Sequence, residues 1–517
     1  MHQTRATDTV DLIVVGAGSA GSAIAARASE DPNRTVLLIE AGPDYADPGA
    51  TPFDLINSHN NSYVDHDWNL RYQPTRGRDV AFPRGRVVGG SSAVNTTIAL
   101  RSTPEDHAEW AAAGNPEWAW DRVLPAYRRL ERDLDFPEAP YHGDAGPISI
   151  RRYPPAELVA QQQAFLDTAR TLGYPDCADA NAPDSWGSGP HPMNKLGRLR
   201  ISCAIGYLAP ARARPNLSIR PRTLVRRLLL ESGRCVGVEV ENPDGSTAEL
   251  RARLVVLSAG AIMSPAILLR SGIGPRAELE AHGIAVAADV PGVGRNLSDH
   301  PALSVVCRVR DGALIDFDQP IIQTILRYTA EGSDKRNDLQ IEQISFAGRP
   351  GGPPQFAIAA VLEYQHGRGE LRLASADPHA APIIDNRFCE DERDCARLVA
   401  CLKDTLRFAR TGALADMIEA VTFPDPARPG DDAALAALCR RFAASGYHPS
   451  ATAKMGPATD PMAVVDQYGC CHAVDSLVVA DAAIVPGVPR ANTNLTSIMI
   501  GERVGEWLRT RPGRYGL

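Results

Sequence analysis

Glycines 16, 18 and 21 follow directly on an apolar run, Val10-Asp11-Leu12-Ile13-Val14-Val15, and open an alanine-rich stretch from Ser22 to Ser29. In that setting the chemistry is the holding of a pyrophosphate. Gly16 lets the chain turn tightly off a strand, Gly18 removes a side chain where backbone must approach phosphate, and Gly21 lets helix and strand pack closely. The helix start adds unpaired N–H groups and a positive dipole end. A second apolar run, Thr35 to Ile39, delivers Glu40 nineteen residues after Gly21, where a carboxylate meets a ribose hydroxyl. An acid there suits the unphosphorylated ribose of FAD or NAD and disfavours NADP. The same glycine turn also serves plain strand-to-helix junctions, and Glu40 is what raises it above that reading.

The rest of the chain is less explicit. None of the 12 histidines is singled out as a base by spacing alone, and the 10 cysteines show no metal-ligand or Cys-x-x-Cys spacing. They read as free thiols of a reducing compartment, and the vicinal Cys470-Cys471 is not taken as a redox pair. A length of 517 residues exceeds what one core usually serves, so two domains are expected. A net charge of −8 gives no reason to bind nucleic acid or anionic lipid. The arginines from Arg220 to Arg234 alternate with Leu and Val and read as solvated strand positions. The start, Met1 to Thr9, is polar and no run of eighteen apolar residues occurs, so neither a signal peptide nor a membrane segment is expected and the protein is placed in the cytoplasm.

Several elements must position the glycine turn and whatever acts beside it. Pro43 to Pro83 is irregular and reads as a lid or cofactor-covering loop. Gly89-Gly90-Ser91-Ser92 is a second close-approach surface, with Ser91 or Ser92 a candidate N-cap of a following helix. Thr103 to Leu134 reads as helical, Ala160 to Leu172 as a helix, and Asp176 to Pro192 as a loop. Asn216 to Ile219, Arg222 to Glu231 and Val236 to Glu241 alternate as strands, with a turn at Asn242 to Gly245. Leu254 to Leu257 is a buried-type strand running into a small-residue turn at Ser258 to Ser264. From 301 to about 470, short alternating strands and a helical block, Asp391 to Phe408, suggest an antiparallel sheet. Leu477 to Asp481 and Thr496 to Leu508 supply a last buried strand and a closing helix.

Six stretches taken together resemble the glucose-methanol-choline (GMC) oxidoreductase family. They are the glycine turn, Gly85 to Asn95, Gly260 to Gly274, His366 to Glu370 with Ser375 to Pro378, Gly446 to Gly456 with Asn492 to Asn494, and Val478 to Pro486. The resemblance implies an α/β fold: a Rossmann-like FAD-binding domain built from residues 1–150, 197–300 and 471–517, and a discontinuous α+β substrate domain carrying an antiparallel sheet, built from 151–196 and 301–470. It implies that Gly16, Gly18, Ser19, Ala20, Gly21, Glu40 and Ala41 hold the ADP half of FAD, with Val225 touching adenine through its backbone. Val88, Gly89, Gly90 and Asn95 would line the flavin, and Gly260, Asp481, Ala482 and Asn494 would complete the cofactor site. Members that bind FAD covalently carry a His just before the residue at Asn95; here it is Val94, which implies a non-covalent cofactor.

The catalytic pair implied is His448 as base and Asn494 as its neutral partner, with His300 structural. Arg490 is a local departure that would either meet an anionic group on substrate or partner or face solvent, and solvent is the reading taken. The activity implied is oxidation of a small primary alcohol, as in bacterial members acting on aromatic or heteroaromatic alcohols and in choline dehydrogenase-like enzymes. Oxygen or another acceptor would take the electrons, and no metal is expected. The same fold also carries hydroxynitrile lyases and light-driven fatty-acid decarboxylases, which remain alternatives at this point.

Overall fold

The computed structural model describes residues 9–310, 315–424 and 431–517. Residues 1–8, nearly all of the stretch read as a polar start, lie outside the described residues. Two large sheets organise the chain. In the first, Val10–Val15 lies between Val36–Ile39 and the later half of Thr247–Leu257, parallel to both. Leu217–Arg220 extends one side and Leu477–Val479 the other, again parallel. Leu12, Ile13, Val14, Val255 and Val256 are fully buried, which is why these strands read as continuous apolar runs rather than alternating ones. The strands end toward one edge, where Gly16, Glu40, Ser258 and Asp481 follow them.

The earlier half of Thr247–Leu257 leaves this parallel arrangement to pair antiparallel with Arg234–Glu241, which pairs in turn with Leu224–Glu231. One side of that hairpin faces water, so the sequence alternates there. Arg226 and Arg227 lie on its outer part and meet Glu239, with Arg226 also reaching Glu241.

The second sheet runs in the order Ile418–Phe423, Pro301–Val309, Gln355–Leu362, Leu339–Ala347, Ile322–Tyr328, Gly187–Pro190, with every neighbour antiparallel. Helices Ala160–Thr171 and Glu392–Phe408 cover one face, joined by Phe165 stacked on Phe408. Period-two alternation turns Gln340, Glu342, Ala359 and Val361 to the other face, toward the cavity described below.

Three local expectations are corrected. Gly187–Pro190, inside a stretch read as loop, is an edge strand; its two glycines and proline hide it from a propensity reading. Thr103 to Leu134 holds two helices, Pro104–Ala112 and Trp120–Leu130, because Gly114-Asn115-Pro116 breaks the run. Ser91 and Ser92 cap no helix: they lie within a 3₁₀ turn, Gly90–Ala93, where Ser91 accepts the Gly85 N–H and Ser92 accepts the Cys203 N–H.

The closing helix, Thr493–Thr510, lies against the helix of the glycine turn, Ser19–Ala28. Close approach is obligatory here, since a Cβ on Gly501 would stand 2.5 Å from the Ala20 carbonyl oxygen. Gly501→Val therefore prises the two helices apart, at a cost of about 1–3 kcal/mol for overpacking. A denaturant titration should show an earlier unfolding transition, and an unchanged midpoint would contradict the close packing.

Candidate active site

A cavity of about 730 Å³ opens between the strand-end edge of the first sheet and the free face of the second. Its first wall is built from backbone. A Cβ on Gly21 would stand 1.9 Å from the Gly16 carbonyl oxygen, and one on Gly90 would stand 2.6 Å from the Gly18 Cα, so the two glycine turns rest directly on one another. The helix beginning at Ser19 has no side-chain cap, which leaves its first N–H groups open to the cavity. The Glu40 carboxylate accepts the Ala17 and Gly42 N–H groups at 2.9 Å each, keeping lone pairs free on both oxygens. Burial pushes this carboxyl up to about 7 against those backbone bonds. Asp481 accepts from Gly260 N–H, Ser264 hydroxyl and Ala483 N–H at 2.6 to 2.8 Å, fixing the turn after Leu257.

The second wall carries the imidazoles. His448 and His300 meet through their Nδ1 atoms at 2.9 Å, and His300 Nε2 stands 2.9 Å from the Pro489 carbonyl oxygen. A carbonyl only accepts, so His300 carries its hydrogen on Nε2 and presents a lone pair at Nδ1. His448 Nδ1–H must then be the donor, and His448 Nε2 is left as a bare acceptor, met at 3.1 Å by the Asn492 amide N–H. Both rings are neutral. Burial, then His300, then Arg84 hold His448 well below the ordinary histidine value, and burial holds His300 down to about 4.

One carboxyl ties these parts together. Asp299 Oδ1 accepts the His300 N–H at 2.7 Å and the His448 N–H at 2.9 Å, while Oδ2 accepts the Ser445 hydroxyl at 2.5 Å. At the mouth, the Arg84 guanidinium donates to the Tyr447 carbonyl and lies over the Phe82 ring.

Among the residues expected from the sequence, Gly16, Gly18, Ser19, Ala20, Glu40, Ala41, Gly90, Asn95, Val225, Gly260, Asp481, Ala482, Asn494 and His448 line this one cavity. Gly21, Val88 and Gly89 do not line it. Gly21 packs inside its turn, the Val88 N–H is spent on the Pro43 carbonyl and the Gly89 N–H on that of Ala17.

Two expectations are corrected. The carboxamide beside His448 is Asn492, not Asn494, whose Oδ1 instead accepts the Ser19 hydroxyl at 2.9 Å. Asn492 sits at the N-cap position of the closing helix without a side-chain cap bond, and Asn494 lies inside it; residues two apart there point to nearly opposite sides, so only one can face the imidazole. Arg490 does not face solvent. It is 1% exposed and pairs with Asp106 at 2.8 Å and Glu109 at 3.3 Å. Its apolar neighbours gave no hint of acids more than 380 positions earlier. Asp299 and the His300 contact went unread as parts of the site, since only the fold brings Asp299-His300 beside Tyr447-His448.

Fold and site define an α/β enzyme that holds a dinucleotide beside a neutral histidine. Models of the N- and C-terminal parts of the GMC oxidoreductases match residues 10–302 and 365–501. A 5-(hydroxymethyl)furfural oxidase of Methylovorus sp. (strain MP688) is 35% identical over 98% of this chain and 100% of its own length. Mitochondrial choline dehydrogenase of Mus musculus is 33% identical over 98% and 90%. The crystal structure of pyridoxine 4-oxidase from Mesorbium loti superposes with a TM-score of 0.89 at 29% identity, covering 97% of this chain and 99% of that one. The chain belongs to the GMC oxidoreductase family. Its cofactor is FAD, and the open helix start, the spare lone pairs of Glu40 and the buried, unpartnered Asn494 Nδ2 suit that group. Among the described residues no helix is long and apolar enough to cross a membrane.

The two asparagines should separate experimentally. Asn492→Ala should slow anaerobic flavin reduction by an alcohol while FAD stays bound, and Asn494→Ala should weaken FAD retention on gel filtration. The reverse pattern would restore Asn494 as the partner of His448.

Proposed function

We propose that this enzyme oxidises a small primary alcohol to an aldehyde, with His448 as the base. The observation that carries the reading is the bare Nε2 of His448, held by the contact with His300 in the cavity that also contains the glycine turn. His448 Nε2 takes the hydroxyl proton, and the Asn492 N–H donates to the same oxygen as charge builds on it. The imidazolium that results keeps its Nδ1–H on His300 Nδ1, which spreads the positive charge over two rings. Bound FAD supplies the acceptor for the hydride that leaves carbon, and oxygen or another oxidant later removes the electrons. Tyr63, Trp68, Phe423, Phe442 and Tyr447 along the cavity favour a flat, aromatic alcohol. The furfural oxidase and pyridoxine oxidase relatives support the same substrate class. Residues 1–150, 197–300 and 471–517 are assigned to the cofactor half, and 151–196 and 301–470 to the substrate half.

General bases typically contribute about 100- to 10,000-fold in rate. His448→Ala should slow anaerobic bleaching of the flavin by a true substrate within that range, with FAD still bound; near-normal bleaching would refute the role. The pH dependence has a definite sign. A histidine held below its ordinary value stays neutral as pH falls past about 6.5. Reduction by an uncharged alcohol should therefore show no step at about pH 6.5, the Glu342 and Glu363 carboxyls of the same cavity being raised by burial to about 8. A titration near 6.5 would contradict the buried, neutral pair.

Val94 offers no nucleophile ahead of Asn95 and is itself buried. Acid precipitation should therefore release the flavin into the supernatant, and colour left in the pellet would overturn the non-covalent assignment.

A further inference from the structure

Lysine is scarce in this chain: Lys195, Lys335, Lys403 and Lys454 are the whole set. Three of them are partly exposed and tied to a carboxylate, Lys335 to Glu109 at 3.3 Å, Lys403 to Asp432 at 2.8 Å and Lys454 to Asp460 at 2.6 Å. Lys195 is neither. It is 4% exposed, and among the described residues its Nζ has no carboxylate within ion-pair distance and no hydrogen-bond partner. Nζ stands instead 3.3 Å from the centre of the Tyr153 ring, which is itself buried with an unpartnered hydroxyl.

Local pairing fixes this position. Lys195–Leu196 and Leu199–Arg200 form a short antiparallel hairpin in which Lys195 lies opposite Arg200. Arg200 spends its guanidinium on the carbonyls of Leu55, Asn57 and Asn60, so it adds a fixed charge to this hairpin and no acid. Just before the hairpin, the Asn194 N–H donates to the Thr97 carbonyl and Met193 bridges Ile98. Asn95, Thr96 and Ile98 line the substrate cavity, and the hairpin therefore backs that wall. The charges around Lys195 are already matched to each other: Arg151 pairs with Glu157 at 3.7 Å and Arg198 with Asp318. His59 is held below its ordinary value by burial and adds no counter-charge.

We propose that Lys195 is a covalent modification site for small aldehydes, the product class that alcohol oxidation would release. The site goes beyond that reading, since an aldehyde from any source serves. A buried ammonium without a counter-charge is costly, and a lysine so placed gives up its proton more readily than one at the surface. Burial brings Lys195 down to about 8, with Glu157 opposing and Arg151 reinforcing the shift. The Tyr153 face holds the ammonium in place without supplying a negative charge. Desolvated lysines of this kind are the ones that form Schiff bases. The lone pair of neutral Nζ attacks the aldehyde carbon to give a carbinolamine. Nitrogen then loses a proton and the oxygen leaves as water, so that C=N forms as C–O breaks and nothing is oxidised or reduced. The three carboxylate-bound lysines stay protonated and have no lone pair to offer.

The test treats the FAD-loaded enzyme with acetaldehyde and sodium cyanoborohydride, which reduces the imine to a stable ethylamine, and follows all four lysines by peptide mass spectrometry. At about pH 7 an amine of pKa about 8 holds roughly 200 times more neutral form than one at the ordinary lysine value of about 10.4. Enclosure slows entry, and Lys195 should still be ethylated at least about tenfold faster than Lys335, Lys403 or Lys454. Its rate should level off once pH passes about 8, while the other three keep rising. Lys195→Arg should remove the fast ethylation and leave the slow ones unchanged. In guanidinium chloride, with the fold lost, the four lysines should react alike; selectivity that survived unfolding would overturn a site built by the fold. Labelling of Lys195 no faster than that of the ion-paired three would also overturn it, and would leave alcohol oxidation standing. Selective labelling in an enzyme whose flavin no alcohol bleaches would support the site and contradict the proposed oxidation.

Discussion

Asp299 is the constraint on which the site depends. Its carboxyl takes the backbone N–H of both His300 and His448 and the hydroxyl of Ser445, joining the start of one strand to a loop almost 150 residues later. The Gly446 N–H to the His300 carbonyl and the Ser298–Ser450 bridge run alongside. With those bonds in place, Tyr447 is held at a φ of 67°, a conformation a bulky residue adopts only when its surroundings over-determine it. The strain aims the His448 ring into the cavity.

Burial works in two directions around this clamp. It lowers both imidazoles, which keeps a lone pair available at neutral pH, and it raises the carboxyls of Asp299, Glu342 and Glu363. Such an arrangement costs folding free energy, because each desolvated polar group needs a partner. For His300 Nε2 the partner is the Pro489 carbonyl, which decides the tautomer of two rings at once. Elsewhere the chain pairs buried carboxylates with arginine, as where Arg101 and Arg152 meet Glu131, Asp133 and Asp179. Among the described residues, Glu342 and Glu363 over the substrate space meet histidines and no arginine or lysine within ion-pair distance.

The legibility of the sequence follows from the range of the interactions involved. The parallel sheet and the glycine turn are local: apolar runs bounded by glycine specify strand, turn and helix within forty residues, and Glu40 falls where the pattern requires. The antiparallel sheet expected between 301 and about 470 also forms, with one face covered by helices and the other lining a cavity. The edge strand Gly187–Pro190 was hidden, since its pairing comes from Thr324 to Arg327 and not from its own side chains. The burial of Arg490 was hidden for the same reason, its partners lying on a helix near residue 106. The choice between Asn492 and Asn494 turned on which residue caps the closing helix, a boundary two residues wide. The pairing of His300 with His448 needed the Asp299 clamp, which no spacing rule contains.

His448 Nε2 is proposed as an unprotonated acceptor placed to receive a hydroxyl proton beside the flavin. A crystal structure of the FAD-loaded protein with an unreactive fluorinated alcohol tests it most directly. With His448 as the base, the ligand oxygen should lie within about 2.6–3.2 Å of both His448 Nε2 and the Asn492 amide nitrogen, with its carbinol carbon facing the flavin ring. An alcohol oxygen bound away from His448, or a His448 ring whose Nε2 donates to the protein, would contradict it.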